Sequence, residues 1–212
     1  MKPTPIQFSN PEIRAFMCDA LTQIRRVAKL PKGHCPGWTY PMPYGKRFRI
    51  AGSDYPDNVE DEFDCPLGEV GGEFYLRESI CIDDAGNSGF GQSPYAWHVN
   101  YPDGTSHWKF SKSALRTIGK KPASKMPKWA ARVVFEIVAI RIERLNDMKP
   151  EDAVKSGMRK LTRKVASDDH GIAESKALER YQAQWDKRTT DAKHFWQANP
   201  WVWVIDIQRI EA

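Results

Sequence analysis

Three groups of residues in this chain have types and spacing suited to chemistry, and all three are cationic. Lys128, Trp129 and Arg132 place an indole between two positive charges. Such a trio can stack a base and clamp the phosphates beside it. The competing use of Trp129 is as a plug packed at the rim of a core, the commoner fate of tryptophan. Arg25 and Arg26 are neighbours; on a strand their side chains leave on opposite faces, so only one of them can meet a given ligand. A guanidinium offers paired donors to a phosphate or a base edge, and it serves equally in a salt bridge that holds a fold. From residue 109 to residue 128, Lys109, Lys112, Arg116, Lys120, Lys121, Lys125 and Lys128 recur at short intervals. Lysines so placed either form a solvated face or track a phosphate backbone.

The rest of the composition fits a nucleic-acid partner without requiring one. The 212 residues carry a net charge of +5, and the pI is near 9.0. Eight tryptophans add stacking capacity, although most tryptophans pack inside. At 41% hydrophobic and 28% charged residues, the chain can build a core and reads as an ordinary soluble protein. Its length favours one domain over residues 1–212. No apolar run approaches the ~18 residues of a membrane span, and Met1–Ile6 lacks the apolar region of a signal peptide. No membrane partner is expected, and the cytoplasm is the expected compartment. Cys18, Cys35, Cys65 and Cys81 lie far apart with no C-x-x-C pair, so they read as reduced structural thiols. The neighbours His34 and Cys35 are a weak metal signal. No cofactor is implied.

These residues need elements to position them. Asn10-Pro11-Glu12 combines a capping side chain, a first-turn proline and an acid at the positive end of a helix. The apolar spacing from Ile13 through Ile24 then continues helically. Residues 31–72, rich in proline and glycine, read as a long connection or lid containing short strands such as Arg47–Ala51. Glu73–Ile82 reads as one strand. Tyr95–Tyr101 and Thr105–Phe110 flank Pro102-Asp103-Gly104 and form a hairpin. Arg132–Arg144 is a long strand. A short helix begins at Pro150 and can end at Gly157, and a longer one spans about Ile172 to Lys187. The densest β-branched and aromatic run, Trp201–Ile210, reads as a closing strand with Trp201 and Trp203 in the core. The class is α+β, with a closed or nearly closed barrel as its sheet.

Four segments in this order resemble one family: Thr22–Val27, Phe74–Ser79, Met126–Arg132, and Trp185-Asp186 leading to Asn199–Val204. Arg141–Gly157 fits the same pattern. Together they resemble the ASCH-domain proteins of phages and prophages, often labelled phage morphogenetic or hypothetical proteins. The resemblance spans nearly the whole chain. It implies a PUA-like β-barrel with flanking helices and a cleft beside the barrel, in the cytoplasm of a bacterial host. It also implies that the first helix ends near Asp19 and that Thr22–Val27 is a strand. Relatives bind RNA or modified nucleotides, and some hydrolyse acetylated cytidine or cut RNA.

Hydrolytic relatives carry a Lys-Thr-x-Thr-x-Arg pattern here and a glutamate on a later strand. Thr22 and Glu78 match those positions, whereas the lysine is Leu21 and the second threonine is Ile24. Leucine has no proton to give or take, so the amine that would activate water is missing. The expected function is therefore a binding module for RNA, single-stranded DNA or a modified nucleotide, without hydrolase activity. Its contact set would be Arg25, Arg26, Arg77, Lys120, Lys121, Lys128, Trp129 and Arg132. A nucleoside hydrolase or ribonuclease using Glu78 and Thr22 is the alternative, and a phage protein that binds a host protein is a further one.

Overall fold

The computed structural model describes residues 4–30, 39–44, 47–52, 62–84, 96–111, 118–158 and 170–210. In chain order the elements are β1 (Thr4–Gln7), α1 (Asn10–Met17), β2 (Gln23–Val27), β3 (Thr39–Tyr44), β4 (Arg47–Gly52), β5 (Glu62–Phe63), β6 (Glu73–Arg77) and β7 (Ile80–Asp84). They continue with β8 (Ala96–Asn100), β9 (Ser106–Phe110), β10 (Gly119–Lys121), β11 (Val134–Arg144), α2 (Pro150–Lys155), α3 (His170–Arg188) and β12 (Trp201–Ile210). The sequence reading treats 1–212 as one domain; the chain divides into two compact units, each made of discontinuous segments. Residues 1–14, 73–136 and 209–212 form the first, and 15–72 with 137–208 the second.

In the first unit β1 lies parallel to β6, and β6 runs antiparallel to the start of β11, with Tyr75 opposite Val134. Pro5 has no N–H to offer a further strand, which suits β1 to the end of a sheet. Glu73–Ile82 is two strands rather than one. Glu78 leaves the ladder, its N–H donating to Met126 Sδ at 3.1 Å. A second sheet has the antiparallel order β10-β7-β8-β9, so the basic loop expected after the hairpin contains a short strand. One face of that sheet supplies Ile80, Ile82, Trp97 and Val99 to a core completed by Tyr101, Met126 and Ala130. The hairpin turns at Pro102-Asp103-Gly104 as its sequence predicts. Gly104 has φ 83°, a conformation that strains any residue with a Cβ.

In the second unit β12 lies between β11 and β2, with Ile205 opposite Ile24. Val202 and Val204 pack on Leu145, Met148, Ala153, Ala177, Tyr181 and Trp185. From the other face Trp203 meets Phe48 edge-on at 4.8 Å and Phe63 at 5.7 Å. Apolar neighbours on both faces explain why the first half of this strand, Trp201–Ile205, is continuously hydrophobic. Ala177, Tyr181 and Trp185 recur every fourth residue, the one stripe of α3 that the core needs. β3, β4 and β5 form an antiparallel sheet inside the expected lid, and Pro41 and Pro43 suit β3 to its edge.

Two helix ends have clear causes. Ser9, not Asn10, stands at the N-cap of α1: its N–H and hydroxyl both donate to Glu12 Oε2 at 2.8 Å, the glutamate half of a capping box. The helix stops at Met17 because Asp19 turns left-handed, with φ 51°. The helical periodicity running on to Ile24 is thus overridden, and Gln23–Val27 is a strand, as the family resemblance implies. The class is α+β. No barrel closes: among the described residues every sheet is open. No helix among them is long and apolar enough to cross a membrane.

Candidate functional site

In the first unit, the polar cluster nearest to chemistry forms where the chain passes from β6 to β7. Glu78 stands there with its side chain fully out of solvent. Arg132, on the approach to β11, donates Nε to Glu78 Oε1 at 2.9 Å and Nη2 to Oε2 at 2.6 Å. This bidentate fork uses both carboxylate oxygens. The remaining Arg132 nitrogen donates to Asp103 Oδ2 at 2.8 Å and Thr105 Oγ1 at 2.6 Å. The guanidinium carbon lies 4.2 Å from the centre of the Tyr101 ring, whose hydroxyl donates to the Ala130 carbonyl at 2.8 Å. Thus one arginine ties the β6–β7 corner to the β8–β9 turn.

The electrostatics agree with a structural clamp. Burial pulls the Arg132 pKa down, but hydrogen bonds and charge from Glu78, then Asp103, more than reverse this and keep it ionised. Burial would also raise Asp103; hydrogen bonds from Thr105 and then Arg132 outweigh it and hold the carboxyl at about 2. Burial, ahead of the opposing pull of Arg132, pushes the Tyr101 phenol up to about 12. None of these groups is poised to exchange a proton near neutrality.

Beside the clamp lies an open groove of about 480 Å³, lined among others by Ser79, Cys81, Asn100, Tyr101, Lys120 and Lys121. Burial and then Asp83 raise the Cys81 thiol, with Lys120 opposing weakly, so it is no ready nucleophile. Lys120, Lys125 and Lys128 are exposed and Lys121 is half-buried. The loop positions Lys112 and Arg116 lie outside the described residues, as do His34 and Cys35. Among the described residues no cluster of three or more His, Cys, Asp or Glu could hold a metal.

The expected contact set is therefore split by the structure. Lys120, Lys121 and Lys128 stand in water or at the groove. Trp129 is half-buried against the Ile80–Trp97 core with its indole N–H buried and unpaired, which is the plug role. Arg132 is removed from the contact set, because its donors serve Glu78, Asp103 and Thr105 and its side chain is 3% exposed. Arg77 donates to the Tyr75 hydroxyl at 3.4 Å while its Nε is buried without a partner.

In the second unit Arg25 is also withdrawn from any ligand. Its side chain is 1% exposed and bonds Asp152 Oδ2 at 3.1 Å, Glu143 at 3.5 Å and the Gln23 side-chain carbonyl. Gln23 passes the network to Asp206 at 2.7 Å, which Arg141 also reaches at 2.7 Å. Arg26, on the other face of β2, donates to the Arg25 carbonyl at 2.9 Å. Thr22 belongs to this unit as well; its N–H donates to Lys155 O and its carbonyl accepts from Ile207, so its backbone is structural. Leu21 and Ile24 are 3% and 2% exposed. They are core positions.

Sequence reasoning missed the Arg132–Glu78–Asp103 clamp, whose members come from three separated segments. The Asp103-Gly104-Thr105 turn was its one local signal. It also missed Trp108 and Phe110, exposed on β9 and legible only as alternate positions of a strand. No protein-family model matches the chain, and no curated protein or solved structure matches it either.

Proposed function

We propose that this protein is a non-enzymatic nucleic-acid-binding module of the ASCH, PUA-like type, engaging RNA or single-stranded DNA. The observation that carries the reading is the groove of the first unit, which takes Lys120 and Lys121 from one edge strand and Asn100, Ser79 and Tyr101 from its neighbours. A lysine beside amide, hydroxyl and aromatic side chains matches a phosphate and the base next to it. The Glu78 and Asp103 carboxylates nearby are held by Arg132, which limits their repulsion of an anion. Loss of the hydrolytic pattern fits the same reading. Leu21 and Ile24 are buried apolar residues, and both Glu78 carboxylate oxygens are engaged by Arg132.

Titration of labelled single-stranded RNA and DNA tests it. Affinity should fall roughly tenfold or more between about 50 and 200 mM salt, as expected for a few neutralised phosphates. Lys120→Glu combined with Lys121→Glu should weaken binding and flatten the salt slope. No turnover of acetylated cytidine is expected. Absence of binding to every strand at low salt would refute the nucleic-acid reading, and wild-type turnover would refute its non-enzymatic part.

A further inference from the structure

The sheet β10-β7-β8-β9 has a second face that the core does not use. Its register places Lys120 beside Cys81 and Asn100 beside Ser106 in one row. The next row places Asp83 beside His98 and His98 beside Trp108, and Phe110 follows on β9. Because side chains alternate, these positions share the face opposite Ile80, Ile82, Trp97 and Val99. Trp108 is 43% exposed and Phe110 is 73% exposed. Two large rings on one strand that both keep much of their surface accessible to solvent form an apolar patch. His98 supports the indole, with ring centres 4.9 Å apart.

We infer that this face is a stacking platform for single-stranded nucleic acid, with Trp108 and Phe110 each receiving one base and Lys120 taking a phosphate across the sheet. The inference rests on the nucleic-acid reading above and adds where the bases go and which strand form fits. Trp108 and Phe110 are two residues apart, about 6.8 Å along the strand. Bases in a duplex strand rise only about 3.4 Å. One base per ring therefore requires an extended, unstacked strand. Lys120 lies three strand spacings from β9, about 14 Å away, within reach of a backbone that runs across the sheet. Charge requires the crossing strand to turn a base, not a phosphate, toward the middle of the face. Asp83, whose carboxylate accepts from Asn100 Nδ2 at 2.6 Å, occupies the middle of the face. It repels phosphate there and leaves an acceptor for a base amino group, while the cation Lys120 holds the far edge.

Fluorescence anisotropy with a short labelled strand separates the two claims. The probes are a single-stranded oligonucleotide, the same backbone with abasic sites, and the corresponding duplex. The wild type should bind the single strand best, and removing the bases should weaken it on the order of tenfold or more. Trp108→Ala and Phe110→Ala should each cost about tenfold, and Trp108→Phe should recover most of the loss. Equal affinity for normal and abasic strands, or unchanged binding by both alanine variants, would overturn the platform while leaving the nucleic-acid reading intact. Preference for duplex would overturn it also. Failure of the wild type to bind any probe would refute the underlying reading instead. The abasic comparison needs no variant, so a folding defect cannot obscure the result.

Discussion

Neutralising Asp103 without changing its shape should reveal how strongly one arginine holds the β8–β9 hairpin. Asp103→Asn keeps an oxygen for the Thr105 N–H at 3.0 Å and removes the charge facing Arg132 Nη1 at 2.8 Å. The carboxyl is held at about 2 against an ordinary 3.8, which corresponds to about 2.4 kcal/mol of preference for the ionised form. The side chain is 23% exposed, so solvent screening reduces the net effect to roughly 1–2 kcal/mol. The sign follows from which state takes the proton first. At neutral pH both folded and unfolded chains carry the carboxylate, and the stabilisation is complete. As pH falls below 3.8 the unfolded chain protonates first, and the stabilisation fades until about 2, where the folded carboxyl protonates too. The asparagine variant has no such proton. Urea unfolding followed by circular dichroism should therefore show a stability gap near neutrality that narrows at acid pH, over the range where both proteins unfold cooperatively. A gap that stays constant from neutrality to about pH 3, or is absent throughout, would refute the clamp.

Two further outcomes test the second unit. Arg25→Met should cost about 3–5 kcal/mol by leaving Asp152 without its buried partner, read as a melting temperature lower by roughly 10 °C. Gly157 has φ 84°, and a Cβ there would lie 2.5 Å from Ala15 Cβ; Gly157→Ala should destabilise by roughly 1–3 kcal/mol in the same melts.

How far the fold was legible depended on whether the deciding forces were local. Trp201–Ile210 is readable because β-branched and aromatic residues fill its first five positions and recur at Ile207 and Ile210, and Pro102-Asp103-Gly104 because the turn itself demands those residues. The end of α1 was not readable from periodicity. Leu21 and Ile24 extend the helical stripe, yet both are buried in other ways: Leu21 bridges Ser156, and Ile24 pairs with Ile205 across β2 and β12. Tertiary pairing overrode a sound local pattern. Glu73–Ile82 divided for a similar reason, since Glu78 serves an arginine 54 positions away. The candidate site was legible only in its lysines, whose exposure follows from composition. The roles of Arg25 and Arg132 were set by partners that no local spacing reveals.

That division between arginine and lysine bears on the nucleic-acid binding proposed above. Arg25, Arg132, Arg141 and Arg144 each direct the guanidinium at the protein itself, whether at carboxylates, a carbonyl or the Trp201 ring. A planar fork with several donors is well used inside, where it can satisfy two or three acceptors at once. Lys120, Lys125 and Lys128 remain in water, and an ammonium meets phosphate as a point charge without bidentate selectivity. Contacts of this sort attract a backbone but do not read it. On the proposed nucleic-acid reading, discrimination among strands would rest on the aromatic face, through stacking and the Asp83 acceptor, and stacking tolerates every base. The combination therefore favours strand form over sequence. A binding survey should separate single strands from duplexes far more sharply than it separates one base composition from another.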